Sequence, residues 1–100
     1  MKTYKATSDV VACSLSRSEL EETGTAWQKL FQHSLIARDE VAGGLCLVFH
    51  PGSAEALSQL VDIERECCPW ITFELDGARV TLTSPGAGAS AIREMWVVKE

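Results

Sequence analysis

Apolar positions mark the second half of the chain most clearly. Leu57, Leu60 and Val61 recur at three- and four-residue steps, and Glu64 and Cys68 continue the same stripe. That period belongs to one side of a helix, expected over 54–67. Pro69 ends it, because proline has no amide hydrogen and pushes the residue before it out of helical dihedrals. The period then changes to two. Ile71, Phe73 and Leu75 alternate with Thr72, Glu74 and Asp76, predicting a half-buried strand over 70–75. Asp76-Gly77 signals a hairpin into a strand over 79–83. Pro85-Gly86 breaks that strand, and Ala89, Ile92, Met95 and Trp96 predict a short terminal helix.

The first half reads less sharply. Residues 1–9 are polar and are taken as a lead-in without regular structure. Residues 10–15 predict a strand with Val11, Cys13 and Leu15 on one face. Ser16 and Ser18 each precede a glutamate by three residues, so either could open a helix through a capping box. Leu20, Trp27, Leu30, Phe31 and Leu35 stripe that helix to about residue 35. Residues 36–44 read as a connector ending at Gly43-Gly44. The unbroken apolar run 45–49 predicts a central strand buried on both faces. His50-Pro51-Gly52-Ser53 is a turn, with Ser53 as N-cap of the next helix.

These elements give an α/β chain, an α+β two-layer sandwich in the order β-α-β-α-β-β. The expected sheet is mixed and four-stranded, with two helices on one face and a short C-terminal helix appended. The first βαβ unit should be parallel and right-handed. The last helix or a second copy of the chain would cover the open sheet face, so a homodimer is an expectation.

One hundred residues with 46% hydrophobic and 23% charged side chains suit a single domain over 1–100. No apolar run approaches the roughly 18 residues of a membrane span. The N-terminus lacks the apolar segment of a secretion signal, so a cytoplasmic protein with no membrane partner is expected. The net charge is −5 without a basic cluster, which argues against nucleic acid as a partner.

The chemistry concentrates in Glu64-Arg65-Glu66-Cys67-Cys68-Pro69-Trp70. Half of the four cysteines stand in one dipeptide at a helix-to-strand corner. In a cytosolic chain they are metal ligands, redox thiols or buried hydrophobes before they are disulfides. Sulfur-rich sites favour soft ions: Zn(II), Cu(I), and by extension Hg(II) and As(III). The spacing is not that of a paired C-x-x-C zinc ribbon. The topology puts Cys46 at the same end of the sheet as Cys67 and Cys68, with Cys13 and the late first-helix residue His33 as further neighbours. If Leu47 and Phe49 point to the helices, Cys46 points to the opposite face, while Cys13 points inward with Val11 and Leu15. A site of Cys67, Cys68 and one strand cysteine therefore fits better than one using all four, and the corner would present the pair to a guest ion. Glu64 is a candidate ligand or supporting group. His50 lies at the far end and is excluded.

Plainer roles compete. Cys13 and Cys46 sit in apolar strands and suit simple packing. Glu64 could be a stripe-edge carboxylate paired with an arginine. A redox role meets an obstacle, since a helix C-terminus with Glu64 and Glu66 beside it disfavours a thiolate. No Ser-His-Asp order, H-E-x-x-H or nucleophile elbow is present, so no catalytic residue is assigned and an enzyme is not expected. The alternatives to metal binding are a structural or protein-interaction domain with buried cysteines, and a redox or sulfur-handling thiol protein.

The block Glu66-Cys67-Cys68-Pro69-Trp70-x-x-Phe73, with Leu60 and Glu64 before it and Val80-x-Leu82 and Pro85-Gly86 after it, resembles small bacterial proteins. It also resembles domains appended to mercury- or arsenic-responsive regulators. The resemblance covers about residues 55–96 and implies Cys67 and Cys68 as ligands for a thiophilic ion; it lends nothing to Cys13 or Cys46. The strand order also resembles bacterial sulfur-carrier proteins. Their Cys-Pro-x-Pro block has no counterpart here, because Cys13-Ser14-Leu15-Ser16 lacks both prolines.

Overall fold

A computed structural model describes residues 2–8 and 17–97. Its elements are β1 (Lys2–Tyr4), α1 (Arg17–Ser34), β2 (Leu35–Val41), β3 (Gly44–Phe49), a 3-10 turn (Pro51–Ser53), α2 (Ala54–Cys67), β4 (Thr72–Asp76), β5 (Arg79–Thr83) and α3 (Ala87–Met95). The expected strand over 10–15, Cys13 within it and the capping serine Ser16 lie outside the described residues. Ser18 does not open α1, since the helix already runs at Arg17.

The strands form one five-stranded sheet in the order β1-β4-β5-β3-β2. Every described pairing is antiparallel. The expected four-stranded mixed sheet is corrected by two strands whose sequences hide them. β1 is three residues long, too short to show alternation. Tyr4 stands opposite Phe73, with the Arg65 guanidinium 4.5 Å from its ring centre. β2 lacks an apolar rhythm because an arginine occupies an inward position. Arg38 lies opposite Leu47 and donates from Nε to the Trp96 carbonyl at 3.0 Å and from Nη2 to the Arg93 carbonyl at 3.0 Å. These bonds satisfy carbonyls that the end of α3 leaves open. Arg93 reaches back, donating from Nη2 to the Val41 carbonyl at 3.0 Å and pairing with Glu40.

Leu45, Leu47, Phe49, Phe73, Leu75, Val80 and Leu82 are buried on one face of the sheet, while Cys46, Val48, Glu74, Thr81 and Thr83 turn to the other. The helices complete the core with Trp27, Phe31, Leu57, Leu60, Val61 and Ile92, together with Trp96. Trp96 meets Trp27 nearly at right angles, ring centres 5.9 Å apart, and Phe31 stacks on Phe49. The third helix therefore joins the same layer as α1 and α2 and does not cover the opposite face. An amphipathic stripe says that a helix buries one side; it does not say against which face of a sheet.

Chain reversal explains how the helices pair. α1 leads directly into β2, and the β2–β3 hairpin returns the chain to the end of α1. There the His50 amide donates to the Ser34 carbonyl at 3.0 Å, and the Ser34 and Ser53 hydroxyls bond to each other. Ser53 holds the N-cap position, but its hydroxyl is committed to Ser34 instead of to the helix amides. α1 and α2 thus run antiparallel. At the far end, the amides of Thr7 and Ser8 both donate to the Pro69 carbonyl, at 2.7 and 3.1 Å.

Gly77 takes the first loop position of the β4–β5 hairpin with φ of 59°, a conformation that costs other residues strain. Gly44 answers a different need. A Cβ there would overlap the Leu82 carbonyl inside the β3–β5 ladder. Gly44→Ala is therefore expected to destabilise by about 1–3 kcal/mol, the usual range for overpacking. Gly24 in α1 has open space around it, so Gly24→Ala should gain up to about 1 kcal/mol of helix propensity. Urea unfolding of the two variants checks this pair of opposite signs.

Candidate functional site

The last turn of α2 builds a site from residue spacing alone. Cys67 and Cys68 follow Glu64 by three and four positions. On a helix both positions adjoin the earlier residue, one to each side. Two adjacent cysteines that would diverge from each other therefore converge on the carboxylate one turn back. Pro69 tunes the second of them. Cys68 leaves helical geometry at φ −120° and ψ 68°, yet its amide still donates to the Glu64 carbonyl at 2.6 Å and closes the turn.

The sulfurs meet the Glu64 side chain at hydrogen-bond range. Cys68 Sγ is 3.5 Å from Oε2, and Cys67 Sγ is 3.8 Å from Oε2 and 3.6 Å from the Glu64 carbonyl oxygen. The other oxygen, Oε1, accepts the indole N–H of Trp27 at 3.1 Å. All three residues are buried: Glu64 is 6% exposed, Cys67 2% and Cys68 0%. The thiols point into the protein and are not presented outward at the corner as expected. One donor atom from each residue lies within 4.8 Å of the others. Three donors bound at about 2.3 Å to one ion stand about 3.8–4.0 Å apart, so side-chain movements of up to about 1 Å close the set.

Burial pushes the Glu64 carboxyl above its ordinary value of 4.5, while the hydrogen bonds from Trp27, Cys68 and Cys67 pull it back. Beside it, Trp27, Glu64, Met95 and Trp96, with Thr23 and Gly24, line a cavity of about 180 Å³. Glu64 thus stands between the sulfurs and that cavity.

The remaining expected site residues do not join. Leu47 and Phe49 face the helices, and Cys46 is accordingly half-buried on the opposite face of the sheet, between Asp39 and Thr81. His33 is exposed and lines a groove with Ser34, Ser53 and Ala56, at the start of α2 and away from its end. It was expected beside the cysteines; the β2–β3 reversal turns its end of α1 to the far side. Trp27 takes the place that His33 was expected to fill. Its signal was its position on the stripe of α1, since a buried indole N–H requires an acceptor. Cys13 lies outside the described residues.

Comparisons with protein-family models, with curated proteins and with solved structures returned no match. No helix among the described residues is long and apolar enough to cross a membrane.

Two measurements follow. Iodoacetamide should label half-buried Cys46 in the folded chain at least about tenfold faster than Cys67 or Cys68, because alkylation of a buried thiol waits for local opening; peptide mapping of the labelled protein reads the order. Glu64 binds its proton more tightly folded than unfolded, so its stabilising contribution is complete below about pH 4.5 and is lost as pH rises through the raised folded value. Glu64→Gln should flatten that decline. The urea midpoints of parent and variant should diverge in the variant's favour between pH 4 and 8; a constant gap would contradict the assignment.

Proposed function

We propose that the chain binds a thiophilic metal or metalloid ion through Cys67 and Cys68, with Glu64 as third ligand or proton acceptor. One observation carries this reading: two sulfurs and a carboxylate oxygen, all from buried residues, converge within 4.8 Å. The donor set suits soft ions, Hg(II), As(III), Cu(I) or Zn(II), whose sulfur affinity offsets the loss of water. Binding requires the thiol protons to leave. Glu64 Oε2, which accepts from both thiols, can take one proton and become a neutral acid while the other passes to solvent, and the ion's charge then stabilises the two thiolates; where Glu64 is instead the third ligand, both protons pass to solvent. A sequestering or sensing module is the role that fits a site without catalytic groups beside it.

A structural domain with buried cysteines is the second reading. The near-zero exposure of both sulfurs favours it. The carboxylate shared by both thiols favours the first, because packing alone does not need it.

Titration of reduced protein under argon separates the two. In a background of Cys13→Ser and Cys46→Ser, the chain should take up one equivalent of Hg(II), read by thiolate charge-transfer absorbance. Glu64→Gln should weaken binding by about 10–100-fold, the usual cost of losing a supporting group. Cys67→Ser with Cys68→Ser should abolish it while circular dichroism stays unchanged. Undiminished uptake by that folded variant would reject the metal site.

A further inference from the structure

The cavity beside Glu64 has a chemistry of its own, since none of its walls is a sulfur of Cys67 or Cys68. Three observations meet there. Glu64 is a buried carboxylate whose partners are an indole N–H and two thiols; among the described residues no lysine, arginine or histidine pairs with it. A buried carboxylate without a counter-ion lacks the partner that usually accompanies one. Trp96, 2% exposed, has an indole Nε1 with no hydrogen-bond acceptor. Buried indole N–H groups normally find one. Finally, Trp27 and Trp96 both border the cavity and pack edge to face against one another, ring centres 5.9 Å apart, with Met95 as a further wall.

These features describe one guest. Its positive charge would neutralise Glu64 and lie against the two indoles, where the electron-rich ring faces attract a cation. Its acceptor atom would take the Trp96 N–H, which is sealed from solvent as the side chains stand, so the guest must displace a neighbour to reach it. A hard metal ion fits this description less well: the Thr23 hydroxyl and the Gln28 amide also line the cavity, but Glu64 is its one carboxylate and the indole walls offer no oxygen. The volume, about 180 Å³, is sufficient for one small molecule, since a cavity of about 150 Å³ holds a benzene-sized guest. We propose that the cavity bounded by Trp27, Glu64 and Trp96 binds a small organic ammonium ion that carries an acceptor oxygen. The guest needs no contact with the thiols, but it shares Glu64 with the metal site, so an ion on the thiols and an ammonium in the cavity would compete for that carboxylate.

Isothermal titration calorimetry with three probes tests it: choline, tetramethylammonium, and dimethylbutanol, which is the neutral carbon isostere of choline. Choline should bind saturably, one per chain, at least about tenfold more tightly than dimethylbutanol, as expected for a desolvated cation against aromatic walls and a carboxylate. Glu64→Gln should erase that preference. Trp96→Phe, which keeps an aromatic wall and removes only the N–H, should erase the preference of choline over tetramethylammonium. That second variant keeps the test decisive if Glu64→Gln does not fold. The variant with Cys67→Ser and Cys68→Ser should still bind choline, which separates failure of this site from failure of the thiol site. The proposal is overturned if neither ammonium ion gives saturable heat, if dimethylbutanol matches choline, or if folded Glu64→Gln binds choline unchanged.

Discussion

A carboxylate inside an apolar core dictates the arrangement of this protein. Glu64 belongs to the same stripe as Leu57, Leu60 and Val61, so α2 cannot bury its apolar face without taking the acid group along. An unsatisfied carboxylate there would cost several kcal/mol, enough to consume much of a small domain's stability. Its oxygens are therefore provided with donors. Trp27 comes from α1, and Cys67 and Cys68 come from its own helix. Trp27 must then sit at one height along α2, and that requirement fixes how far the two helices slide past one another.

The rest of the fold keeps that alignment. The β2–β3 hairpin sends α1 and α2 in opposite directions, and the bonds among Ser34, His50 and Ser53 hold their near ends together. α3 is tied down by arginines working in both directions. Arg38 caps the carbonyls of α3, and Arg93 of α3 bonds the backbone of the β2–β3 turn region. Gln28 of α1 adds a bond to the Val97 carbonyl just past the helix. Trp96 is held against Trp27 by this framework more than by any bond of its own.

Sequence reading succeeded where one physical rule acted alone. Helix 54–67 emerged with its true bounds because an apolar stripe runs into a proline, and strand 79–83 because a Gly turn precedes clean alternation. Cys46 was assigned to the correct face for the same reason. Reading failed where tertiary partners replaced local pattern. Arg38 occupies an inward position and satisfies a helix end far along the chain, so β2 looked like a connector. The Trp27–Glu64 bond joins residues 37 positions apart, beyond any periodicity. The misplacement of His33 came from assuming a parallel crossover; one unrecognised strand reversed the direction of everything after it. The convergence of Cys67 and Cys68, in contrast, was available in the spacing, since positions three and four after a helical glutamate flank it.

The paired amides of Thr7 and Ser8 on the Pro69 carbonyl make the cysteine corner a clasp for the sheet margin. β1 has only three residues of ladder with which to hold β4. Anything that levers the corner away must also let go of that carbonyl, leaving the slender strand to its own ladder, the Ala6 amide bond to Thr72 and the Arg65 contact with Tyr4. Without β1, β4 would stand bare along one side, with unpaired backbone groups open to another chain. The end of α2 and the margin of the sheet are thus secured through one shared carbonyl.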